Sequence, residues 1–213
     1  MAKKKLHILT TAGGTREYID PVRYISNAST GKMGYALARA AVRAGHNVTL
    51  ITASSSLCPP KGSKVIEVVT SDDMFQAVKE QFVKCDCLFM AAAVSDYKPA
   101  TSHTSKIKKE QAVMTLTLKP TKDILKWAGQ HKKKKQILVG FALEDKNLLE
   151  NAEKKLRSKN LDMIVANEPA AIGADLSTLY IKTVNSNWVA CENSSKTSSA
   201  NRMMGMVQKL FDM

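Results

Sequence analysis

The hydrophobic pattern of the first hundred residues alternates between short continuous apolar runs and amphipathic stretches. Residues 30–44 repeat apolar side chains at helical spacing before Gly45, and residues 71–85 begin with Ser and two Asp, which favour a helix start. The apolar runs, typical of strands buried on both faces, are KLHILTTAGG, HNVTLITA and DCLFMAAAV. This order predicts an α/β, Rossmann-like fold, with a mostly parallel sheet and helices on both of its faces.

The second half continues this pattern less regularly. A polar, basic stretch spans residues 95–111, and residues 112–120 (AVMTLTLKP) alternate as an antiparallel or edge strand does. Residues 176–184 and 187–193 predict a hairpin, so we expect a small antiparallel sheet as well. The other predicted elements are helices at 121–131, 147–160 and 199–213 and strands at 136–143 and 161–169. We find no repeat or linker and expect residues 1–213 to form one domain.

Composition and cysteine usage narrow the class of protein. No apolar run approaches the roughly 20 residues that cross a bilayer, and the basic N-terminus lacks the apolar core of a signal peptide. We therefore expect a cytoplasmic protein without membrane contact. The cysteines form no Cys-x-x-Cys pair, and Cys85 and Cys87 are expected to be buried thiols. The histidines are scattered and predict no zinc site.

The net charge of +13 favours anionic partners, either nucleic acid or small phosphorylated substrates. A nucleic-acid-binding module should place aromatic side chains among its basic ones. Aromatic residues make up only 6% of the chain, and the lysine runs carry almost none. We therefore expect small anionic substrates and no nucleic acid.

Two glycine-bearing loops follow the first predicted strand. TTAGGT, with Gly13 and Gly14, lies at its carboxyl end, where open α/β sheets bind ligands. SNASTGKMG, residues 26–34, precedes a helix whose N-terminus favours an anion. The residues that would contribute to this anion site are Ser29, Thr30, Gly31 and Lys32. A simple Ser/Thr cap with glycines for close packing is the alternative.

Neither loop matches a standard nucleotide motif. A Walker A loop needs Gly at position 26 and Ser or Thr at position 33, where this chain has Ser26 and Met33, and the G-x-G-x-x-G fingerprint is absent. A dinucleotide-dependent oxidoreductase would also need an acid after the second strand, which ends LITASSS. The pattern therefore disfavours an oxidoreductase.

Two further stretches could face the same ligand. Asp96 follows the third strand, so its carboxylate could hydrogen-bond a ligand, bind Mg²⁺ beside phosphates, or simply cap a turn. In KIKK, residues 106–109, an extended backbone would put Lys106 and Lys108 on one face. Such a segment could form a flap over a polyphosphate or be a solvated loop.

Five segments occur in the order found in phosphopantothenoylcysteine synthetases of the coenzyme A pathway: TAGGTREYIDPVRYISNASTGKMG, AAAVSDYKP, KIKK, GFALE and KNLDMIVAN. The chain resembles this family from about residue 6 to residue 211. The resemblance implies a ligase that joins 4′-phosphopantothenate to L-cysteine. It further implies that CTP and Mg²⁺ first activate the carboxylate as an acyl-cytidylate, and that cysteine then displaces the nucleotide.

The resemblance also implies partners. Family members form homodimers through late antiparallel strands, so the small antiparallel sheet is expected to serve dimerisation. In many bacteria the synthetase is fused to a flavin-dependent decarboxylase, which becomes a candidate partner for a separate synthetase chain. The chain resembles the bacterial form, so CTP rather than ATP is the expected co-substrate.

The loop pattern and the resemblance together assign roles by position. Asn27 and Lys106 are the expected catalytic residues, Asn27 for conversion of the acyl intermediate and Lys106 for activation. The expected substrate-binding residues are Arg23, Ser29, Thr30, Gly31, Lys32, Ala92 and Ala93. The expected nucleotide-binding residues are Gly13, Gly14, Asp96, Lys106, Asp123, Ile124, Phe141, Lys155 (or Lys154) and Lys159. The family's NPDI segment reads TKDI here, and the sequence assigns no metal ligand.

Overall fold

The computed structural model of the chain describes residues 4–53, 55–109 and 113–212. The strands are β1 His7–Ala12, β2 Arg16–Tyr18, β3 Tyr24–Ser26, β4 Asn47–Thr52, β5 Ser63–Glu67, β6 Cys87–Met90, β7 Tyr97–Pro99, β8 Leu118–Pro120, β9 Ile137–Leu143, β10 Met163–Asn167, β11 Leu176–Thr183 and β12 Val189–Ser195. The helices are α1 Lys32–Arg43, α2 Ser71–Phe82, α3 Ile124–His131, α4 Leu148–Ser158 and α5 Lys196–Asp212, with a 3₁₀ turn at Pro169–Ala171.

Within these residues, eight strands form one sheet in the order β12-β11-β10-β9-β6-β1-β4-β5. The six strands from β10 to β5 are parallel, whereas β11 and β12 run antiparallel at one edge. This arrangement confirms the predicted fold class. The sequence pattern does not predict β5 at the other edge, because SKVIE is mostly polar and only partly buried.

Helices cover both faces of the main sheet. Ile8 and Val139 lie on the face that packs against α1 and α5. Leu9 and Leu138, their neighbours in sequence, lie on the face that packs against α2, α3 and α4. Successive residues of each strand are therefore buried on opposite faces, which explains why the strands read as continuous apolar runs.

The first turn of α1 lies very close to β1. A Cβ added at Gly34 would lie 2.5 Å from Thr11 O and 2.6 Å from the Cβ of Ala12, so only glycine fits there. The next residue, Tyr35, is buried, and its hydroxyl hydrogen-bonds that of Thr52 at 3.1 Å. These contacts fix the N-terminus of α1 above the carboxyl end of β1.

The stretch between β1 and α1 is more regular than the long loop that the sequence suggests. β2 and β3 pair as an antiparallel hairpin. The carboxylate of Asp20 holds the turn by accepting hydrogen bonds from the Val22 and Arg23 amides. The sequence pattern alone predicts a long loop over residues 15–29 and misses this hairpin, because three-residue strands around a proline show too little periodicity to be recognised.

The predicted antiparallel elements take two forms. Of the expected strand at 112–120, only Leu118–Pro120 forms a strand, β8, which pairs with β7. Residues 113–117 are not in a strand, so this part of the prediction is wrong, and Ala112 lies outside the described residues. The hairpin predicted at 176–193 is confirmed as β11 and β12, and it extends the main sheet. The role of these strands in dimerisation stays a prediction.

The cysteines are free thiols, and Cys85 and Cys87 are buried as predicted, whereas Cys58 is exposed. Burial raises the pKa of Cys85 to about 12, which keeps this thiol protonated and unreactive at neutral pH. No helix in the described residues is long and apolar enough to cross a membrane. The His, Cys, Asp and Glu side chains of residues 4–53, 55–109 and 113–212 form no group of three or more that could hold a metal ion.

Candidate active site

A cavity of about 650 Å³ opens at the carboxyl ends of the parallel strands. β1 lies inside the sheet, with β4 on one side and β6 on the other. The chain continues from β1 to β4 on one side and adds β6 later on the other side, so the connections that follow β1 and β6 diverge. This divergence creates the crevice in which doubly wound sheets bind ligands. Ala91, Ala92 and Ala93 line it.

Small residues after β1 and β6 hold the crevice together. Ala93 N–H donates to Gly13 O at 2.9 Å, and Gly14 and Ala93 form a further parallel bridge. Gly13 has a φ of +82°, and a Cβ there would lie 2.6 Å from Ala53 O, so this turn requires glycine. The described residues that line the cavity include neither Gly13 nor Gly14, which support its wall from behind.

The N-terminus of α1 forms one wall of the cavity. The N-cap residue, Gly31, has a φ of +77° and no side chain that could cap the helix, and the first turn has no acidic residue. The hydroxyls of Ser29 and Thr30 accept only long hydrogen bonds, from Gly31 N–H at 3.3 Å and from Lys32 N–H at 3.4 Å. The alternative, a Ser/Thr cap with glycines for close packing, therefore holds in part, because Thr30 accepts from the first helical amide and Gly34 packs closely on β1. The helix dipole still favours an anion, which could displace these long hydrogen bonds.

Two lysines converge on the same wall, and both line the cavity. Lys32 Nζ donates to Asp175 Oδ1 at 2.7 Å and to Gly173 O at 3.1 Å. Lys196 Nζ donates to Ser177 Oγ at 2.7 Å. Burial and the charge of Lys32 lower the pKa of Lys196. This end of the cavity therefore attracts negative charge.

Asn27 reaches the crevice directly after β3. Its Nδ2 donates to Val94 O at 3.1 Å and to Ala93 O at 3.3 Å, which ties the loop before α1 to the loop after β6. Asn27 is exposed and lines the cavity. Its amide can therefore exchange these carbonyl partners for an oxygen of a bound substrate.

The predicted nucleotide-binding pair lies on the opposite wall. Lys155 Nζ donates to Phe141 O at 2.7 Å, and Lys159 Nζ pairs with Asp123 Oδ2 at 2.9 Å. Burial and the charge of Lys159 lower the pKa of Lys155. Burial alone would raise the pKa of Asp123, but its hydrogen bonds from Lys159 and from Lys126 N–H lower it. The predicted residues on this wall that line the cavity are Asp123, Ile124, Phe141, Lys155 and Lys159.

Asp96 lines the cavity after β6 and is exposed. The other carboxylates of the cavity are engaged, Asp123 with Lys159 and Glu144 with Asn151 Nδ2 at 3.2 Å. The carboxylate of Asp96, in contrast, has no hydrogen-bond donor among the described residues. Mg²⁺ that binds mainly through substrate phosphates needs only one or two protein carboxylates, so Asp96 fits this ion.

Besides Gly13 and Gly14, two more of the predicted site residues lie outside the cavity lining. The described residues that line the cavity include neither Arg23 nor Lys106. Arg23 bonds instead to Asp20 and to Ile107 O. Lys106 is exposed beside that contact, in the lysine segment (residues 103–109). The segment is therefore anchored to the β2–β3 hairpin, and its closure over the cavity as a flap stays a prediction.

Sequence reasoning misses several residues that line the cavity: Thr121, Lys122, Glu144, Asn167, Gly173 and Lys196. Lys122 adjoins the predicted Asp123, so the position of the TKDI segment could have predicted that Lys122 also lines the cavity. Asn167 ends β10 at the same edge of the sheet as the other site residues. Lys196 is the first residue of α5, where the positive end of the helix dipole disfavours a lysine. Its presence there indicates that the side chain serves the cavity rather than the stability of the helix.

The sequence and the fold of the chain are similar to those of known proteins. The profile of the DNA/pantothenate metabolism flavoprotein C-terminal domain family matches residues 3–211. The chain belongs to this family. Over 169 residues, 79% of this chain, it is 52% identical to the coenzyme A biosynthesis bifunctional protein CoaBC of Bacillus subtilis. The matched part is 41% of that relative, so the chain spans about two fifths of the relative's length.

Two solved structures share the fold along nearly the whole chain. One is the C-terminal domain of a coenzyme A biosynthesis bifunctional protein CoaBC, with a TM-score of 0.85 and 36% identity, covering 97% of this chain and 96% of that one. The other is the DNA/pantothenate metabolism flavoprotein from Streptococcus pneumoniae, with a TM-score of 0.84 and 28% identity, covering 96% and 99%. The fold of this flavoprotein C-terminal domain family therefore accounts for the entire sheet and for the helices around the cavity.

Proposed function

We propose that the chain is a phosphopantothenoylcysteine synthetase, a ligase of coenzyme A biosynthesis that joins 4′-phosphopantothenate to L-cysteine. The observation that carries this proposal is one cavity that combines Asn27, the N-terminus of α1, and Lys155 with Lys159. Its similarity to bifunctional coenzyme A biosynthesis proteins supports the same chemistry.

The first step would activate the substrate carboxylate. A carboxylate oxygen of 4′-phosphopantothenate attacks the α-phosphorus of CTP, and the bond to the β-phosphate breaks to release pyrophosphate. Lys155 and Lys159 would bind the nucleotide, with Phe141 near its base. Negative charge grows on the phosphate oxygens in this step, so Lys106 would stabilise the transition state if its segment closes. Asp96 would hold Mg²⁺, which neutralises phosphate charge when bound.

The second step would form the amide. The amine nitrogen of cysteine attacks the acyl carbon of the acyl-cytidylate, the carbon–oxygen bond to CMP breaks, and the amine loses a proton. The tetrahedral adduct carries an oxyanion, and Asn27 Nδ2 is a donor on the cavity surface that can stabilise it. The N-terminus of α1, with Lys32, would bind the anionic end of phosphopantothenate.

The setting of the reaction is part of the same proposal. We infer CTP as the nucleotide, a homodimer, and a cytoplasmic location. The bifunctional nature of the Bacillus subtilis relative supports association with a second enzyme, and the sequence resemblance makes this enzyme a flavin-dependent decarboxylase.

The test is a pyrophosphate-release assay with 4′-phosphopantothenate and Mg²⁺, run with CTP or ATP and with or without cysteine. We expect release with CTP, and the mass of phosphopantothenoylcysteine only when cysteine is present. Release with ATP alone would retain the ligase and overturn the nucleotide preference. Absence of release with both nucleotides would overturn the proposed function, and a salt-sensitive DNA shift assay would then test the alternative that the charge of +13 suggests.

A further inference from the structure

A buried carboxylate organises the tip of the β2–β3 hairpin. Asp20 is 1% exposed, and its Oδ1 accepts hydrogen bonds from Val22 N–H and Arg23 N–H, both at 2.8 Å. Its Oδ2 accepts a hydrogen bond from Arg23 Nε at 2.9 Å, and Arg23 Nη2 lies 2.6 Å from the same oxygen. Asp20 and Arg23 therefore form an ion pair within the turn itself.

The same ion pair also binds the lysine segment, which is distant in sequence, through hydrogen bonds to its backbone. Ile107 N–H donates to Asp20 Oδ2 at 3.2 Å, and Ile107 O accepts from Arg23 Nη2 at 2.6 Å. His103 N–H adds a bond to Ile19 O at 2.9 Å. Both polar backbone groups of one residue, Ile107, are thus held by the two members of one ion pair.

Exposure along the lysine segment shows which side faces the hairpin. Ile107 is half-buried, whereas Lys106 and Lys108 are exposed. This alternation is that of extended backbone, in which neighbouring side chains point to opposite sides. A fixed Ile107 backbone therefore directs both lysine side chains away from the hairpin and leaves them free to reach a ligand.

The hairpin also leads directly to the cavity. β3 ends at Ser26, and the next residue is Asn27, which bonds to the loop after β6. The turn at Asp20 therefore lies between the loop of Asn27 and the segment of Lys106. Asn27 follows shortly after this turn in sequence, and Lys106 adjoins Ile107, which the turn binds. The turn therefore connects the two predicted catalytic residues through short stretches of backbone.

The charge of Asp20 is well maintained. Burial alone would raise its pKa, but hydrogen bonds from the Val22, Arg23 and Ile107 amides and from the Arg23 side chain hold the pKa well below its usual range. Hydrogen bonds to an ionised acceptor such as this carboxylate are generally shorter and stronger than those between neutral groups. An asparagine at this position would keep the shape and lose the charge.

We propose that Asp20 and Arg23 are positioning residues that hold the lysine segment so that Lys106 can act in the activation step. The proposal rests on the proposed function. It gives Arg23 a role different from the direct substrate contact that the sequence resemblance implies.

Asp162 provides a matched control. Its Oδ1 pairs with Lys132 Nζ at 2.8 Å and its Oδ2 accepts from Leu138 N–H at 2.7 Å, so it also combines a cation with a backbone amide. It immediately precedes β10, at the amino end of the sheet and opposite the cavity. Asp162→Asn therefore removes the same charge without touching the lysine segment.

The first measurement needs no activity. Hydrogen–deuterium exchange of the full chain should be about 10-fold or more faster in peptides covering residues 103–109 for Asp20→Asn and Arg23→Gln, because both lose the grip on Ile107. Asp162→Asn should leave these peptides unchanged and accelerate exchange around Leu138. Unchanged exchange at 103–109 in folded Asp20→Asn and Arg23→Gln chains would overturn the proposal.

The second measurement separates positioning from general support of the fold. Asp20→Asn should slow single-turnover pyrophosphate release by about 10²-fold, the cost of a misplaced reacting group. Its CTP dissociation constant, and its conversion of supplied acyl-cytidylate with cysteine, should change by less than about threefold. Arg23→Lys, which keeps the charge, should retain more activation than Arg23→Gln.

The outcomes distinguish the two proposals. Equal slowing of both steps by Asp20→Asn would overturn the positioning role, since a loosened fold affects both. A wild-type chain that releases no pyrophosphate would overturn the proposed function, and with it the link to activation, while the exchange measurement would still decide whether the ion pair holds the segment.

Discussion

The two ends of the main sheet use polar groups in opposite ways. At the amino end, a cavity of about 380 Å³ lies beside β1, β4, β5 and the end of α2. Its polar groups bond one another, with His7 Nε2 2.9 Å from Thr49 Oγ1 and His7 Nδ1 3.0 Å from Lys84 O. At the carboxyl end, the cavity of about 650 Å³ receives the N-terminus of α1 and the exposed carboxylate of Asp96.

This difference separates groups that hold the fold from groups that can receive a ligand. At the amino end, Asp86 Oδ2 and Asp162 Oδ2 each accept a strand amide at 2.7 Å, from His7 and Leu138 respectively. At the carboxyl end, Asp96 has no such donor from the described residues. Lysines line both cavities, so positive charge alone does not identify the site. The N-terminus of α1 and the carboxylate of Asp96 distinguish the carboxyl-end cavity.

The largest expected effect is that of Asn27→Asp, which replaces an amide donor on the cavity surface by an acceptor. Amide formation should slow by about 10²–10³, because one oxyanion donor is lost, while pyrophosphate release continues. Rapid quench with mass detection should show the acyl-cytidylate accumulating. Asn160→Asp is the control, since Asn160 Nδ2 also donates to a carbonyl, Gly129 O at 2.9 Å. Normal amide formation in Asn27→Asp would remove this residue from the mechanism.

The wall formed by α1 can be tested through two glycines. Gly34→Ala should lower the free energy of unfolding by about 1–3 kcal/mol, because its Cβ would collide with β1 2.5 Å from Thr11 O. Gly205, in α5, has nothing within 4 Å of the position of its absent Cβ. Gly205→Ala should therefore raise the free energy of unfolding by about 0.5–1 kcal/mol. Urea denaturation measures both, and a neutral Gly34→Ala would contradict the described packing of α1 on β1.

A pair of lysines compares the two cavities directly. Lys159→Met should weaken CTP binding by about 10-fold, because a cation is lost from the carboxyl-end cavity. Lys64→Met removes a cation from the amino-end cavity and should change binding by less than about twofold. Isothermal titration measures both affinities. Similar losses in the two variants would show that the distinction between the ends is wrong.

The smallest expected effect concerns stability. The pKa of Lys155 is lowered in the folded chain, so its protonated form is disfavoured there relative to the unfolded chain. This cost is fully present below the folded pKa, declines as pH rises from the folded to the unfolded pKa, and is absent above the unfolded pKa. Lys155→Met should therefore stabilise the fold at pH 7, where this cost is present, while weakening nucleotide binding.

A gain from Lys155→Met that shrinks as pH rises towards the ordinary pKa of lysine would support this explanation, because the lysine is then losing its proton. Chemical denaturation at several pH values provides the measurement. A Lys155→Met chain less stable than wild type at pH 7 would show that the hydrogen bond to Phe141 O outweighs burial of the charge.

The sheet and the residues at its strand ends are predictable because they depend on local pattern. The continuous apolar runs identify buried parallel strands, and the residues that follow them share one edge, so Gly13, the alanines after β6 and Asp96 fall near one another. Lys155 and Lys159 lie four positions apart, which places them on one side of a helix end. For these residues, the positions expected from strand and helix periodicity agree with their positions in the structure.

The positions of Arg23 and Lys106 are not predictable in the same way. They depend on the bond between Asp20 and Ile107, which are 87 positions apart. Nothing in DPVR or KIKK indicates that these segments meet, and the short strands β2, β3, β7 and β8 that bring them together lack periodicity. The converging pair Lys32 and Lys196 is hidden for the same reason, because the partners come from opposite ends of the chain.

The most direct test of the central claim is hydrogen–deuterium exchange of the wild-type chain with saturating CTP, 4′-phosphopantothenate and Mg²⁺. We expect slower exchange in peptides covering residues 27–33, 91–96, 121–125 and 155–159, at the carboxyl end of the sheet. Peptides covering residues 47–49 and 62–64, at the amino end, should remain unchanged. Protection at the amino end, or its absence at the carboxyl end under saturating ligand, would contradict the account.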